Sequence, residues 1–210
     1  MDDYQHKFIE LAISREALSF GKFTLKSGRI SPYFFNTGKF NTAASLESLA
    51  DCYAQTLQKT NWQFDMIMGL AYKGIPIVSA TSILMNQKYG RDLAYAFNRK
   101  QVKTYGDSGV IVGTPLQDKR IVLIDDVITA GTAVTDILPS IEGSGATIAG
   151  VLVALDRQEQ IPATSPIVTH DIPVASIISI DNILNYLETL HTLKHDTVVA
   201  LAEYKKLYGA

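Results

Sequence analysis

The sequence predicts an α/β fold in which a parallel sheet is flanked by helices, with a small N-terminal lobe added to this core. Short apolar runs rich in β-branched and aromatic residues alternate with helical patterns along the chain. The runs are largely apolar throughout, which is typical of strands covered on both faces, because a half-exposed strand alternates with period two. No repeat and no Pro/Gly/Ser-rich linker interrupts the chain, so we expect one domain over residues 1–210.

Composition and charge restrict the class of protein. The 210 residues are 47% hydrophobic and 19% charged, with a formal net charge of −2. This balance is typical of a globular protein and gives no long-range attraction for polyanions, so nucleic acid is not an expected partner. The single cysteine, Cys52, suits a reducing compartment, the charged start is unlike a secretory leader, and no apolar run is long enough to span a bilayer. We therefore expect a soluble cytoplasmic protein with no membrane partner.

Residues 1–40 are predicted to form the small lobe. Residues 1–20 have a helical pattern, and residues 23–26 and 31–36 are predicted to pair as a hairpin. A longer amphipathic helix is predicted over 42–60, where apolar residues recur every three or four positions and Asn41 or Thr42 can cap the start. The lobe is expected to lie over one edge of the sheet.

Residues 62–180 are predicted to form the α/β core. Strands are expected at 64–68, 93–97, 121–124, 148–155 and 174–180, and helices at 75–89 and 132–142. Residues 181–210 are expected to be C-terminal helices, the first at 183–190. Ligands bind beyond the carboxyl ends of parallel strands, so the residues that follow each strand are the candidates for chemistry.

The segment after the third predicted core strand carries the strongest chemical signal. Asp125 and Asp126 stand where this strand ends, and a turn of small residues from Thr129 to Thr132 then leads into a helix. Small residues let several backbone N–H groups converge on one anion, so the turn predicts a phosphate site at a helix N-terminus. The two carboxylates must face something else, such as ribose hydroxyls, a hydrated metal or a cationic transition state. The simpler alternative is that the acids only cap the helix.

These residues identify a family resemblance. Residues 125–133 resemble the phosphoribosyl-diphosphate signature of the type I phosphoribosyltransferases, and the wider pattern resembles the orotate phosphoribosyltransferases. Similar segments follow in the family's order at 23–28, 33–36, 71–76, 97–100 and 155–159. The resemblance implies a type I phosphoribosyltransferase-like core whose N-terminal lobe forms a hood over the base site.

The resemblance also implies the residues that bind 5-phosphoribosyl 1-diphosphate. In the family, the turn with Tyr72 and Lys73 holds the diphosphate, and Lys103, Asp125 and Asp126 would be catalytic. The full binding set would be Lys26, Tyr72, Lys73, Arg99, Lys100, Lys103, Tyr105, Asp125, Asp126, Val127, Ile128, Thr129, Ala130, Gly131, Thr132 and Ala133.

Residues 99–109 are cationic, contain two glycines and offer few apolar anchors. This composition suits a lid that closes over an anion, although a solvated basic loop is the alternative. The resemblance implies that the loop acts in trans within a homodimer. The family commonly has His where this chain has Tyr105, and a phenol is normally neutral near pH 7, so a role that needs a positive charge there is in doubt.

The resemblance implies that Lys26, Phe34, Phe35, Thr129 and Arg157 bind orotate. A flat, anionic pyrimidine calls for an aromatic surface and a guanidinium that can grip a carboxylate. Neighbouring strand residues face opposite sides, so either Phe34 or Phe35 could instead belong to the core. Arg157 could instead pair with Asp156 or Glu159.

The implied reaction transfers the phosphoribosyl group from 5-phosphoribosyl 1-diphosphate to orotate, giving orotidine 5′-phosphate and diphosphate in pyrimidine synthesis. Mg²⁺ would enter bound mainly through the diphosphate and the ribose hydroxyls. No protein-held metal is expected, since His191 and His195 lack the glutamate of a helical zinc motif. The alternatives are a transferase for another base, a regulator that has lost catalysis, and a receiver-type signalling domain, which also places an acid pair at a strand end.

Overall fold

The computed structural model describes residues 1–25, 28–103, 109–189 and 195–209, except for the side chains of residues 102, 103 and 195. Three residues singled out above, Lys26, Tyr105 and His191, lie outside the described residues. Lys103 is described by its backbone alone.

The helices and strands alternate through most of the chain. The helices are α1 (Asp3–Ser14), α2 (Ala43–Lys59), α3 (Gly74–Tyr89), α4 (Thr132–Glu142), α5 (Pro166–Thr169), α6 (Ile180–Thr189) and α7 (His195–Tyr208). The strands are β1 (Leu18–Thr24), β2 (Ile30–Phe35), β3 (Met66–Gly69), β4 (Ala94–Lys103), β5 (Gly109–Gly113), β6 (Arg120–Ile128), β7 (Thr147–Asp156) and β8 (Val174–Ser179). The predicted α/β class is confirmed.

The central sheet has the strand order β5-β4-β3-β6-β7-β8, and β1 and β2 form a separate antiparallel hairpin. All neighbours in the central sheet are parallel except β5, which runs antiparallel to β4. From β3 the chain passes through α3 to β4 on one side, whereas β6 lies on the other side of β3 and leads on to β7. Because the strand order reverses between β3 and β6, a crevice is expected beyond their carboxyl ends.

β5 is a strand that the sequence did not predict, and three further predictions differ from the structure by several residues. Residues 18–20 belong to β1 rather than to the first helix, because α1 ends at Ser14 and Leu18 then pairs with Phe35 of β2. Residues 99–103 continue β4 and are not part of a loop. Residues 125–128 continue β6, since Val127 and Ile128 still pair with β7. Backbone pairing extends β1 at its start, and it extends β4 and β6 past their predicted ends.

The hydrophobic core lies on both faces of the sheet. Within β6, Val122 and Ile124 face a layer that contains α1, α2 and the hairpin, while Ile121 and Leu123 face a layer that contains α4. This alternation explains why the strand is apolar at successive positions. The first layer also holds buried residues of the hairpin and of α7, so the N-terminal segment shares its core with the rest of the domain.

The start of α3 approaches β6 closely through Gly74. A Cβ atom on Gly74 would lie 2.6 Å from the carbonyl oxygen of Ile124 and 3.0 Å from the carbonyl carbon of Gly69. Real Cβ atoms do not approach backbone atoms this closely, so only glycine allows the helix to begin here. The turn between β3 and α3 therefore depends on this glycine.

We predict that Gly74→Ala lowers the free energy of unfolding by about 1–3 kcal/mol, because helix and strand must separate to admit the methyl group. Urea denaturation followed by circular dichroism measures the difference. Ser82→Ala, on the same helix, is the control and should change the free energy by less than about 0.5 kcal/mol. Equal stability of the two variants would contradict this account of the close approach.

Candidate active site

The residues that follow β3 and those at the end of β6 meet in the crevice between these strands. Lys73 Nζ lies 2.7 Å from Asp126 Oδ2, which joins the two segments directly. On the other side, the backbone N–H of Ala71 donates a hydrogen bond of 2.7 Å to Asn98 Oδ1 of β4. Residues of β4 and β6 and the turn that follows β3 therefore form one site.

The turn at residues 70–73 is held by its backbone. The N–H of Leu70 donates to the carbonyl of Ile124 at 2.9 Å, and the N–H of Gly74 donates to the carbonyl of Leu70 at 2.8 Å. The peptide bond between Ala71 and Tyr72 is cis. The Tyr72 side chain is 66% exposed, so the turn combines a fixed backbone with an outward-facing ring.

The acid pair has distinct surroundings for its two members. Asp126 Oδ2 accepts from Lys73 and, at 3.4 Å, from the Thr37 hydroxyl. Asp125 Oδ1 accepts from the Asp126 backbone N–H at 2.9 Å, and the Tyr53 hydroxyl donates to the Asp125 carbonyl at 2.7 Å. The residue that caps α4 is Gly131, and it makes no side-chain cap. The alternative that the acids only cap the helix is therefore wrong.

Burial raises the pKa of Asp125 to about 7, and the negative charge of Asp126 acts in the same direction. The positive charge of Lys73 opposes this shift. Burial also raises the pKa of Tyr53 well above its usual value, so the phenol remains a neutral donor. The pair therefore does not carry two full negative charges near neutral pH.

The turn from β6 into α4 forms a small cavity of about 140 Å³. Asp125, Thr129, Gly131 and Thr132 line one part of it. Gly131 has φ +74°, and a Cβ atom there would lie 2.7 Å from Ile167 Cδ1, so this turn requires glycine. The first turn of a helix has backbone N–H groups without helical partners, which makes this end a suitable phosphate cradle.

The remaining residues of this segment differ in what they present to the cavity. Thr129 and Thr132 are exposed, Val127, Ala130 and Ala133 are half-buried, and Ile128 is buried in the core. Ile128 lines the cavity although it belongs to the core. The side chains of the two threonines remain as hydroxyl donors.

The cationic segment begins on a strand. Arg99 is half-buried and Lys100 is exposed within β4, and the backbone of Lys103 pairs with Gly109 of β5. Lys100 Nζ lies 5.1 Å from the centre of the Tyr72 ring. The strand extension therefore brings Lys100 close to the turn at residues 70–73.

The two phenylalanines predicted at the base site face opposite sides of β2. Phe34 is 42% exposed and stacks on Phe23, with 5.6 Å between ring centres. Phe35 is buried against Phe8, with 6.3 Å between ring centres. The ring of Phe35 is therefore a core residue, as strand alternation allows, and any contact with a ligand would be through its backbone.

Arg157 is buried just after β7. Its Nε donates to Glu159 Oε1 at 2.6 Å, and its Nη2 donates to Ser31 Oγ at 3.2 Å and to the Tyr204 hydroxyl at 3.1 Å. The alternative pairing with Glu159 is thus observed, but inside the protein rather than on its surface. Neither Tyr204 nor Ser31 was a predicted site residue.

Sequence reasoning also missed Thr37, Tyr53 and Asn98. Asn98 directly follows the apolar run 93–97, so its position after a strand was a usable signal. Thr37 and Tyr53 lie before the core and reach the acid pair only through tertiary packing. No local pattern marks them.

No group of three or more His, Cys, Asp or Glu residues that could hold a metal ion occurs in the described ranges. No helix among the residues described has both the length and the apolar content needed to cross a membrane.

Comparisons with known proteins agree with this geometry. Residues 40–188 match the family model of the phosphoribosyl transferase domain. The whole chain is 49% identical to an orotate phosphoribosyltransferase of Hahella chejuensis, covering 99% of it, and 47% identical to that of Nitrosococcus oceani, covering 97%. The crystal structure of orotate phosphoribosyltransferase from Francisella tularensis is similar with a TM-score of 0.85 and 43% identity, over 97% of this chain and 100% of that one. The receiver-type alternative is therefore wrong.

The raised pKa of Asp125 predicts a pH-dependent stability. Burial moves this pKa from 3.8 to about 7, so the folded protein keeps a proton that the unfolded chain releases between these pH values. The contribution of Asp125 to the free energy of unfolding is therefore lost as the pH rises through this interval. We expect the neutral variant Asp125→Asn to be more stable than the unmodified protein by about 1–3 kcal/mol at pH 8 and to lose this advantage near pH 4.

Urea denaturation at both pH values measures this difference. Asp136→Asn, which changes an exposed aspartate of α4, is the matched control and should show the same small difference at each pH. A stability difference for Asp125→Asn that does not depend on pH would show that the carboxylate is not destabilised by burial.

Proposed function

The chain belongs to the orotate phosphoribosyltransferases, within the phosphoribosyl transferase domain family, and on this premise we propose how its residues bind and join the two substrates. It is an enzyme that transfers the phosphoribosyl group from 5-phosphoribosyl 1-diphosphate to orotate, giving orotidine 5′-phosphate and diphosphate in pyrimidine biosynthesis. The observation that carries the residue assignments is the 2.7 Å contact of Lys73 with Asp126, beside the cradle at the start of α4. It joins the two segments that the phosphoribosyl donor must bridge.

The donor is proposed to bind along this crevice. Its 5′-phosphate would occupy the cradle, where Thr129, Gly131 and Thr132 line the cavity. The ribose hydroxyls would face Asp125 and Asp126, since carboxylates accept hydrogen bonds and repel phosphate. The backbone of the remaining cradle residues, 127–133, would complete the contacts with the phosphate.

The diphosphate is proposed to lie over the turn at residues 70–73. Lys73 would exchange Asp126 for diphosphate oxygens, which releases the Asp126 carboxylate to the ribose. Tyr72 belongs to this turn, and Lys100 Nζ lies 5.1 Å from the centre of its ring. Arg99, Lys26, Lys103 and Tyr105 would complete the set, as the family resemblance implies.

The reaction breaks the bond between the anomeric carbon and the diphosphate and forms a bond from that carbon to a ring nitrogen of orotate. Positive charge develops on the sugar as the diphosphate departs, so the acid pair stabilises the sugar from the protein side. The cations near the turn neutralise the leaving diphosphate. The protein otherwise acts by holding the two substrates in line and by excluding water, for which residues 99–109 are the proposed cover.

Mg²⁺ is proposed to bind together with the donor. The described residues around the site offer two adjacent carboxylates, and Mg²⁺ characteristically takes one or two carboxylates plus substrate phosphates and waters. Asp125 and Asp126 therefore fit an ion that is bound mainly through the diphosphate and the ribose hydroxyls of the donor. When bound, the ion would offset the charge of the diphosphate.

Orotate is proposed to lie between the hairpin and the end of β7. The exposed face of Phe34 provides an aromatic surface, and Arg157 provides the cation for the carboxylate. Thr129 and Lys26 are the further proposed contacts. Phe35 supports the hairpin from within the core.

We predict that Asp125→Asn combined with Asp126→Asn leaves the fold intact but reduces turnover by about a hundredfold or more, because the cationic sugar loses its stabilising charge. Activity is followed as the loss of orotate absorbance in the presence of the phosphoribosyl donor and Mg²⁺. Asp136→Asn is the control. Full turnover in a well-folded double variant would refute the role of the acid pair, and consumption of uracil, hypoxanthine or adenine in place of orotate would refute the substrate.

The active unit is proposed to be a cytoplasmic homodimer with shared sites. Large apolar side chains are exposed on α3 and on neighbouring β4: Ile83 (57%), Tyr89 (38%) and Tyr95 (39%). Such a patch is typical of a surface covered by another protein. The family resemblance implies that residues 99–109 then serve the partner's site.

Complementation tests the shared site. Lys103→Ala and the double variant Asp125→Asn, Asp126→Asn should each be nearly inactive alone. If the loop serves the partner, one site of a mixed dimer combines both lesions and the other has none, so activity should return when subunits exchange. Mass spectrometry establishes that exchange has occurred. Continued inactivity after exchange would show that each loop serves its own subunit, or that the sites are not shared.

A further inference from the structure

The C-terminal helix α7 contributes to a buried polar cluster around Arg157. The cluster consists of Ser31 of β2, Arg157 and Glu159 after β7, and Tyr204 of α7, which are 0%, 6%, 6% and 7% exposed. Buried polar groups cost free energy unless their hydrogen bonds are made. The hydrogen bonds and ring contacts of this cluster therefore show what holds Arg157 in place.

The hydrogen bonds of the cluster have a consistent direction. Arg157 Nη2 donates to the Tyr204 hydroxyl at 3.1 Å, and that hydroxyl donates onward to Glu159 Oε1 at 3.0 Å. Nη2 also donates to Ser31 Oγ at 3.2 Å, which donates onward to the Tyr33 carbonyl at 2.7 Å. Each hydroxyl thus accepts a hydrogen bond from the guanidinium and donates one to an acceptor beyond it. These two chains of hydrogen bonds hold the guanidinium from two sides.

Aromatic packing restricts the plane of the guanidinium further. Its central carbon lies 4.5 Å from the centre of the Tyr33 ring and 5.8 Å from that of Tyr204. The two rings meet edge to face, with 6.1 Å between their centres. Tyr204 therefore restrains Arg157 both by its hydroxyl and by its ring.

α7 is itself tied to the segment that follows β7. The backbone N–H of Gln160 donates to the Tyr208 carbonyl at 3.2 Å, and Lys205 forms an ion pair with Asp181 of α6. These contacts fix the end of α7 relative to the segment that follows β7. The Tyr204 hydroxyl therefore stays next to Arg157.

The charges of the cluster leave it suited to an anion. Glu159 pairs through Oε1 with Arg157 and through Oε2 with Arg29 at 3.0 Å, so one carboxylate serves two guanidiniums and the three groups keep one positive charge. Nε and Nη2 of Arg157 are both engaged, and the described residues provide no acceptor for its Nη1. Nη1 is therefore the nitrogen left for a ligand.

We propose that Tyr204 is a positioning residue for orotate: it holds Arg157 so that the guanidinium presents Nη1 to the carboxylate of the base. This inference rests on the proposed role of Arg157 in binding orotate. It gives α7 a task in substrate binding, although none of its residues contacts the substrate in the proposed arrangement.

Steady-state kinetics of Tyr204→Phe test the proposal. The variant keeps the ring and loses only the hydroxyl, so KM for orotate should rise about three- to tenfold, while KM for the phosphoribosyl donor and kcat stay within about twofold. Tyr208→Phe is the matched control on the same helix and should leave both KM values unchanged. Equal increases in the two KM values for Tyr204→Phe, or no increase for orotate, would overturn the proposal.

A double-variant comparison separates positioning from a general structural effect. In an Arg157→Ala background, Tyr204→Phe should cause no further loss of kcat/KM for orotate, because there is no guanidinium left to position. An additional loss of the same size as in the unmodified protein would show that Tyr204 acts independently of Arg157.

Two further results complete the test. Tyr204→His keeps a group able to hydrogen-bond and should fall between the Phe variant and the unmodified protein, whereas a value no better than Phe would count against a hydrogen-bonding role. If the unmodified protein turned over the phosphoribosyl donor with another base and not with orotate, the proposed function would fail. If the unmodified protein turns over orotate normally and Tyr204→Phe leaves KM for orotate unchanged, only the positioning role of Tyr204 fails.

Discussion

The parallel pairing of β3 with β6 is the constraint on which the rest of the structure depends. Gly69, the last residue of β3, pairs with Ile124, which directly precedes the acid pair in β6, so the turn at residues 70–73 and the acid pair lie side by side. The strand order reverses at this point, which opens the crevice between the two segments. Glycine at position 74 lets α3 begin against the Ile124 carbonyl and keeps the turn close to the acids.

The same pairing explains the electrostatics of the site. Asp125 and Asp126 lie within β6, where the sheet and the helical layers bury the first carboxylate and leave the second in contact with Lys73. Burial of a carboxylate beside another carboxylate is unfavourable for folding, and such groups are characteristic of functional sites. The sheet supplies the rigid frame that holds them together despite this cost.

The polar cluster around Arg157 connects parts of the chain that are far apart in sequence. Ser31 and Arg157 are separated by 126 positions, and Arg157 and Tyr204 by 47. The hairpin, the end of β7 and the C-terminal helix thus meet at one buried guanidinium. The N-terminal segment is for this reason not an independent lobe: it shares both the hydrophobic core and this hydrogen-bond network with the rest of the domain.

The sequence by itself determined the α/β class, the approximate positions of five of the six strands of the central sheet, and the turn of small residues before α4, because apolar runs and small-residue turns are local signals. It did not predict β5. It did not determine that β4 and β6 continue through polar residues, because the backbone hydrogen bonds between strands do not depend on whether those side chains are polar. It left open whether Phe34 or Phe35 faces outward and whether Arg157 pairs with Glu159, and it gave no sign of Tyr204. Only the tertiary structure decided these points, because each depends on contacts between residues that are distant in sequence and become neighbours through packing.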